Sequence, residues 1–183
     1  MKKIILISVL AMCMTYALGA SAAYEFYMSI QGSKQGKFKG ESTREAWKEW
    51  APCVSIDFTA ESAMDPARGM PSGRVQNSPI TIIKEWGESS PQILQAIATN
   101  EVLKEVRFSF IHRTKDGVEE VYFTITLTNA MIVKHHIYVP LATSAQQSTS
   151  ATQELEDVSF VFERMTVENK ISKITTTIGA PGR

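Results

Sequence analysis

The chain has 183 residues, 44% of them hydrophobic and 21% charged, which suits one globular domain with a sizeable core and excludes a disordered or fibrous chain. Lysine plus arginine equals aspartate plus glutamate at 19 each, so no basic excess recommends nucleic acid or an anionic membrane as partner. A near-neutral surface also raises little barrier to self-association.

Residues 1–22 read as a secretory leader. Lys2 and Lys3 form a charged start, Ile4 to Leu18 an apolar run, and Ala20-Ser21-Ala22 an A-x-A cleavage signal. The run is short for a bilayer and no basic stop-transfer cluster follows it, so stable membrane insertion is not expected. Cleavage after Ala22 leaves a domain over 23–183 with 17 basic against 19 acidic residues, a net charge of −2. It also removes Cys13, leaving Cys53 without a disulfide partner in its own chain. In "APCVSIDF" Cys53 opens an alternating strand, where a small apolar filler is expected, although a lone thiol can also act as a nucleophile.

Period-two alternation marks strands buried on one face. Tyr24, Phe26, Met28 and Ile30 oppose Glu25, Tyr27, Ser29 and Gln31. The following "GSKQGKFKGES" looks at first like a phosphate loop. Only three residues separate Gly32 from Gly36, however, Phe38 stands where a metal-binding hydroxyl belongs, and no helix opens behind it, so a polar connection is expected. Val54, Ile56 and Phe58 alternate with Ser55, Asp57 and Thr59. Residues 60–78 and 141–153 read as long polar loops, of the kind that are functional or disordered in compact domains. "SSPQILQAIATN", residues 89–100, reads as the one helix, with Ser89 or Ser90 as N-cap, Pro91 in its first turn, an apolar stripe of Ile93, Leu94 and Ile97, and Asn100 as its stop. Val106, Phe108 and Phe110 form the next inward row. "TKDG" is a hairpin signal at Gly117. Val121, Phe123, Ile125 and Leu127 then oppose Tyr122, Thr124, Thr126 and Thr128. Asn129 is a plausible tight turn before "AMIVKHHIYV", and "ELEDVSFVFERM" and "KISKITTTI" supply the last strands.

Catalytic chemistry is hard to find. His135 and His136 are neighbours on a strand and point to opposite faces, His112 ends another strand, and none has metal-ligand spacing, so metal and cofactor sites are not expected. G-x-S-x-G is absent. Glu119, Glu120, Glu154, Glu156 and Asp157 read as solvated acids at strand starts or turns, while Glu85 beside Trp86 could have a raised pKa. Trp47, Trp50 and Trp86 could form a sugar-stacking platform in an exported binding module, or pack where connections meet the core. Nothing demands an enzyme.

The blocks "PITIIKE", "SSPQILQA", "TNEVL", "DGVEEVYFTITLTNA" and "DVSFVFERM", in this order, resemble the Hcp family of bacterial type VI secretion tube proteins across essentially the whole chain after the leader. The resemblance implies a small antiparallel β-barrel or two-sheet sandwich with one flanking helix at about residues 90–99, assembling as a hexameric ring. It further implies stacking of rings into a tube that is driven by a contractile sheath, carries effectors and leaves the cell behind a spike, with no catalytic role. By the same resemblance "GSKQGKFKGES" is the first connection near a ring face, and 60–78 is the extended loop that reaches the next ring. Asp65, Arg68 and Arg74 on that loop become ring-stacking candidates, as charged rim contacts. The leader departs from the family pattern: a working leader would send the chain to the periplasm, whereas type VI secretion would deliver it outside the cell.

Overall fold

The computed structural model describes residues 25–65, 67–139 and 154–179, without the side chains of Pro71, Ser72 and Arg74. The leader, Cys13, Tyr24 and the polar stretch 141–153 lie outside the described residues. In chain order come β1 (Glu25–Gly32), a 3-10 turn (Glu45–Trp47), β2 (Ala51–Cys53), β3 (Ser55–Asp57), β4 (Ala60–Asp65), β5 (Met70–Asn77), β6 (Ile80–Glu85), α1 (Ser90–Ala98), β7 (Leu103–Arg113), β8 (Glu119–Tyr138), β9 (Leu155–Asn169) and β10 (Ile174–Gly179).

The main sheet runs β2-β1-β7-β8-β9-β6-β3, antiparallel throughout, with β10 beside β9. β2 and β3 stand at opposite ends of that order, yet only Val54 separates them, and its N–H donates to the Ile83 carbonyl at 2.7 Å. The sheet therefore bends round into a nearly closed barrel, which leaves few unpaired strand edges. β9 is its spine: its first half lies between β8 and β6, its second between β8 and β10.

Alternation drives this arrangement, because strands with one apolar face must bury it together. The register sets Phe26 beside Phe110, Met28 beside Phe108 and Ile30 beside Val106, and the inward residues of β6, β8 and β9 complete one core. Phe108 and Phe160 meet there edge to face at 6.2 Å. Each is fully buried, and such burial stabilises by about 1.5–3 kcal/mol per side chain. α1 closes one side of the barrel with Ile93 and Ala96, whereas Leu94 is exposed, so the buried stripe is narrower than the sequence predicts. Asn100 does stop the helix, with φ at 47°, a conformation that asparagine tolerates better than most residues.

Three more expectations need correction. Asn129 takes the expected left-handed conformation, φ 49°, yet makes no turn: β8 runs through it unbroken, and its amide donates to Glu163 at 2.6 Å. The long strand survives because its neighbours pair on both sides of the irregular residue. Residues 60–78 are a β-hairpin rather than a loop. Val54 is exposed instead of facing the core, because it sits at the bend between β2 and β3.

Candidate functional site

The hairpin β4–β5 is the feature that stands clear of the barrel. Its strands pair Ala60 with Asn77 and Asp65 with Met70, with a bulge between Ser62 and Met64, and form a sheet of their own. Its base is clamped where it joins the barrel, the Ser78 N–H donating to the Thr59 carbonyl at 2.8 Å and the Thr59 N–H to Ser78 Oγ at 2.9 Å. At the tip the Asp65 carbonyl accepts from Gly69 at 2.9 Å and Oδ1 from Ala67 at 2.8 Å. Asp65 thus shapes the turn, as aspartate does where its side chain bonds its own backbone two residues on. Arg68 approaches it at 3.9 Å and is otherwise solvated. The structure brings these two stacking candidates together; Arg74 lies in β5, and its side chain is outside the described residues.

The "GSKQG" connection does wrap an anion, but one from its own chain. Glu101, buried just after α1, accepts the N–H groups of Lys34 at 2.6 Å and Gln35 at 2.9 Å on Oε1, and the Gln35 amide at 2.9 Å on Oε2. Gly32 lies so close that a Cβ there would collide with the carboxylate. Burial alone would raise the Glu101 carboxyl, but the Gln35 and Lys34 N–H bonds outweigh it and hold it below the ordinary carboxylate value. The loop chemistry that resembles a phosphate site is thereby satisfied internally.

Inside the barrel lies a charge cluster that the sequence reading missed. Lys84 and Glu156 are both fully buried and 2.9 Å apart. The Lys84 ammonium also donates to Glu41 at 3.1 Å and to the Glu85 carbonyl at 2.6 Å. Glu156 accepts from Ser90 Oγ at 2.9 Å and meets His135 Nε2 at 2.8 Å, while Glu41 also accepts from Ser89 at the helix start. Burial pushes the Glu156 carboxyl up, yet His135, Lys84 and Ser90 together bring it below its usual value. The expectation that Glu156 is a solvated acid fails because β9 alternates: Glu156 shares the inward parity of Val158 and Phe160. Lys84 likewise follows Ile80 and Ile82. This cluster ties α1, β6, β8, β9 and the first connection together. Among the described residues its hydrogen bonds run between its own members, as suits a structural lock, with Glu41 Oε2 and His135 Nδ1 buried beside them without a partner.

The tryptophans do not form one platform. Trp47 stacks on Tyr27 at 5.1 Å and meets Trp50 edge-on at 5.2 Å, covering the outer face of β1. Trp86 lies elsewhere, its indole N–H donating to the Leu155 carbonyl at 2.8 Å. Cys53 is half-buried, and burial pushes its thiol up, away from the reactive thiolate. His135 and His136 do diverge: the first enters the buried cluster, and the second stacks on Tyr138 at 4.9 Å near Asp157.

A family model described as "Type VI secretion system effector, Hcp" matches residues 27–168. The "Major exported protein" of Pseudomonas aeruginosa is 26% identical over 155 residues, 80% of this chain and 89% of that protein. A crystal structure of an Hcp protein superposes with a TM-score of 0.81 at 21% identity, covering 88% of this chain and all of that one. A mutant of Hcp1 from Escherichia coli EAEC 042 reaches 0.74 at 22% identity, over 86% and 99% of the two chains. The secreted protein Hcp3 of Pseudomonas aeruginosa reaches 0.66 at 23% identity, over 87% and 100%.

Proposed function

The chain belongs to the Hcp family and is a subunit of the type VI secretion tube, and from that premise we propose that it closes into hexameric rings that stack head to tail. The family match over 27–168, laid on a nearly closed barrel with one docked helix, carries this reading. Ring closure needs one patch of each subunit to meet a different patch of the next. The projecting hairpin is the stacking element, and Asp65, Arg68 and Arg74 ride on it toward the adjoining ring. The role is structural, with transported effectors, the sheath and the spike as partners. The protein is delivered outside the cell by the type VI apparatus, whereas a leader that works and is cleaved after Ala22 would place it in the periplasm instead.

Disabling the contractile apparatus in the native host tests the route. The chain is expected in the medium of the intact strain and not of the disabled one. Release independent of the apparatus contradicts tube-borne secretion. Intact mass of the secreted chain tests the leader separately: a product that still begins at Met1 contradicts cleavage.

A further inference from the structure

The first connection runs the length of α1 and grips it at three points. Just past the end of the helix, Glu101 accepts from the Lys34 and Gln35 N–H groups and from the Gln35 amide. Along the middle, the Gln92 carbonyl accepts from the Gln35 amide at 3.1 Å, and the Gln92 side chain accepts the Lys39 N–H at 2.8 Å. At the start, Glu41 accepts the Ser89 N–H at 3.2 Å and the Ser89 hydroxyl at 2.8 Å. Residues 33–41 thus form a strap over the helix, and two of its three fastenings are carboxylates.

The strap's backbone is held more thinly than any barrel strand. The Phe38 N–H donates to the Ile30 carbonyl at 3.0 Å and the Ser33 N–H to the Val102 carbonyl at 3.0 Å, beside a single bridge between Gln31 and Lys37. Phe38 itself is buried. The barrel strands are joined by long backbone ladders, which do not titrate; β7 pairs with β8 from Leu103 to Arg113. The Glu41 end is also incompletely satisfied, since its Oε2 is buried without a partner among the described residues. Lys34 is the charged group that acts on Glu101. Glu41 faces Lys84 of β6, which it shares with Glu156 of β9, itself bonded to His135 of β8. The strap's other ion pair, Lys37–Glu49, is exposed.

We infer that the strap is released by acid: protonation of Glu101 frees residues 33–41 from α1 while the barrel ladders stay closed, uncovering Phe38 and the crevice lined by Met28, Ile30 and Ala51. A protonated carboxyl presents a donor, and all three partners of Glu101 are donors themselves. Burial opposes the charge on Glu101, but the Gln35 and Lys34 donors hold the folded carboxyl below its ordinary value. A carboxyl lowered by folding contributes its full stability above the unfolded value of about 4.3 and loses it as pH falls through the lower folded value. The strap is therefore closed at neutral pH and opens below about pH 4.

Hydrogen exchange read by mass spectrometry tests this on the mature chain, equilibrated from neutral pH down to about pH 3 and corrected for intrinsic rates, because protection reports local opening. Peptides covering 33–41 should lose protection by about tenfold or more, while those of β7, β8 and β9 change by less than about twofold. Glu101→Gln should raise exchange over 33–41 at neutral pH and remove most of its pH dependence. Gln92→Ala, which takes away a fastening that does not titrate, should raise exchange there by the same factor at every pH. Circular dichroism at each pH checks that the barrel is folded, and the parent's own profile carries the test even where a variant does not fold. Strap and barrel peptides that lose protection together, a strap still protected when the barrel unfolds, or a folded Glu101→Gln variant that keeps the parent's pH dependence overturns the inference.

Discussion

Replacing Lys84 with methionine removes the ammonium at the centre of the buried cluster while keeping most of the stem's volume. Three bonds go with it: to Glu41 at 3.1 Å, to Glu156 at 2.9 Å and to the Glu85 carbonyl at 2.6 Å. Glu156 keeps Ser90 and His135, but its charge then stands in the barrel interior without a cation. Removing one partner of a buried pair costs about 3–5 kcal/mol, a large share of the ~5–15 kcal/mol that holds a typical domain. The exposed pair Lys37–Glu49, 3.3 Å apart, serves as the control, since Lys37→Met should cost only about 0–1 kcal/mol. Adding Glu156→Gln to Lys84→Met should recover much of the loss, because a glutamine still reaches Ser90 and His135 without a bare charge. Urea unfolding at neutral pH reads these changes as shifts in midpoint at constant slope. A folded Lys84→Met variant that loses less than about 1 kcal/mol, or a double variant worse than the single one, refutes the lock.

Glu101→Gln should weaken the "GSKQG" connection, because the new amide faces the Gln35 amide donor where an acceptor is needed. Since the folded carboxyl lies below its ordinary value, its contribution is whole above the unfolded pKa of about 4.3 and disappears as pH falls through the lower folded value. Acid unfolding curves of parent and variant should therefore converge at low pH and differ near neutrality; a constant gap at all pH values would speak against the role. Gly40→Ala should cost at least about 1–3 kcal/mol, because a Cβ there collides with the backbone of Trp50 and Ala51, and a thermal melt matching the parent would refute that close approach. Cys53 should resist thiol reagents in the folded mature chain, and Cys53→Ser should leave ring assembly intact; rapid labelling or lost rings at unchanged fold would show otherwise.

Much of the fold is legible because alternation is strict where it matters. Phe26, Met28 and Ile30, then Val106 and Phe108, announce both their strands and their inward faces, and Pro91 and Asn100 bracket the helix. What escapes has physical reasons. Asn129 is read as a turn because its conformation is local while the continuity of β8 comes from β7 and β9 on either side. Residues 60–78 escape as strands since a hairpin exposed on both faces has no apolar periodicity to display. Lys84 and Glu156 sit at inward parity among isoleucines, valine and phenylalanine, a signal present in the sequence but set aside by the habit of placing charges in solvent. Glu101 carries no such signal, because its partners come from backbone N–H groups of a loop nearly seventy residues earlier, and only the folded chain brings them together.

The central claim is that the mature chain is a ring-forming tube subunit, and negative-stain microscopy of the purified chain over a range of concentrations tests it most directly. Closed hexameric rings with a central channel, stacking into short tubes as concentration rises, are expected. A chain that stays monomeric at every concentration, with its barrel intact by circular dichroism, would contradict it.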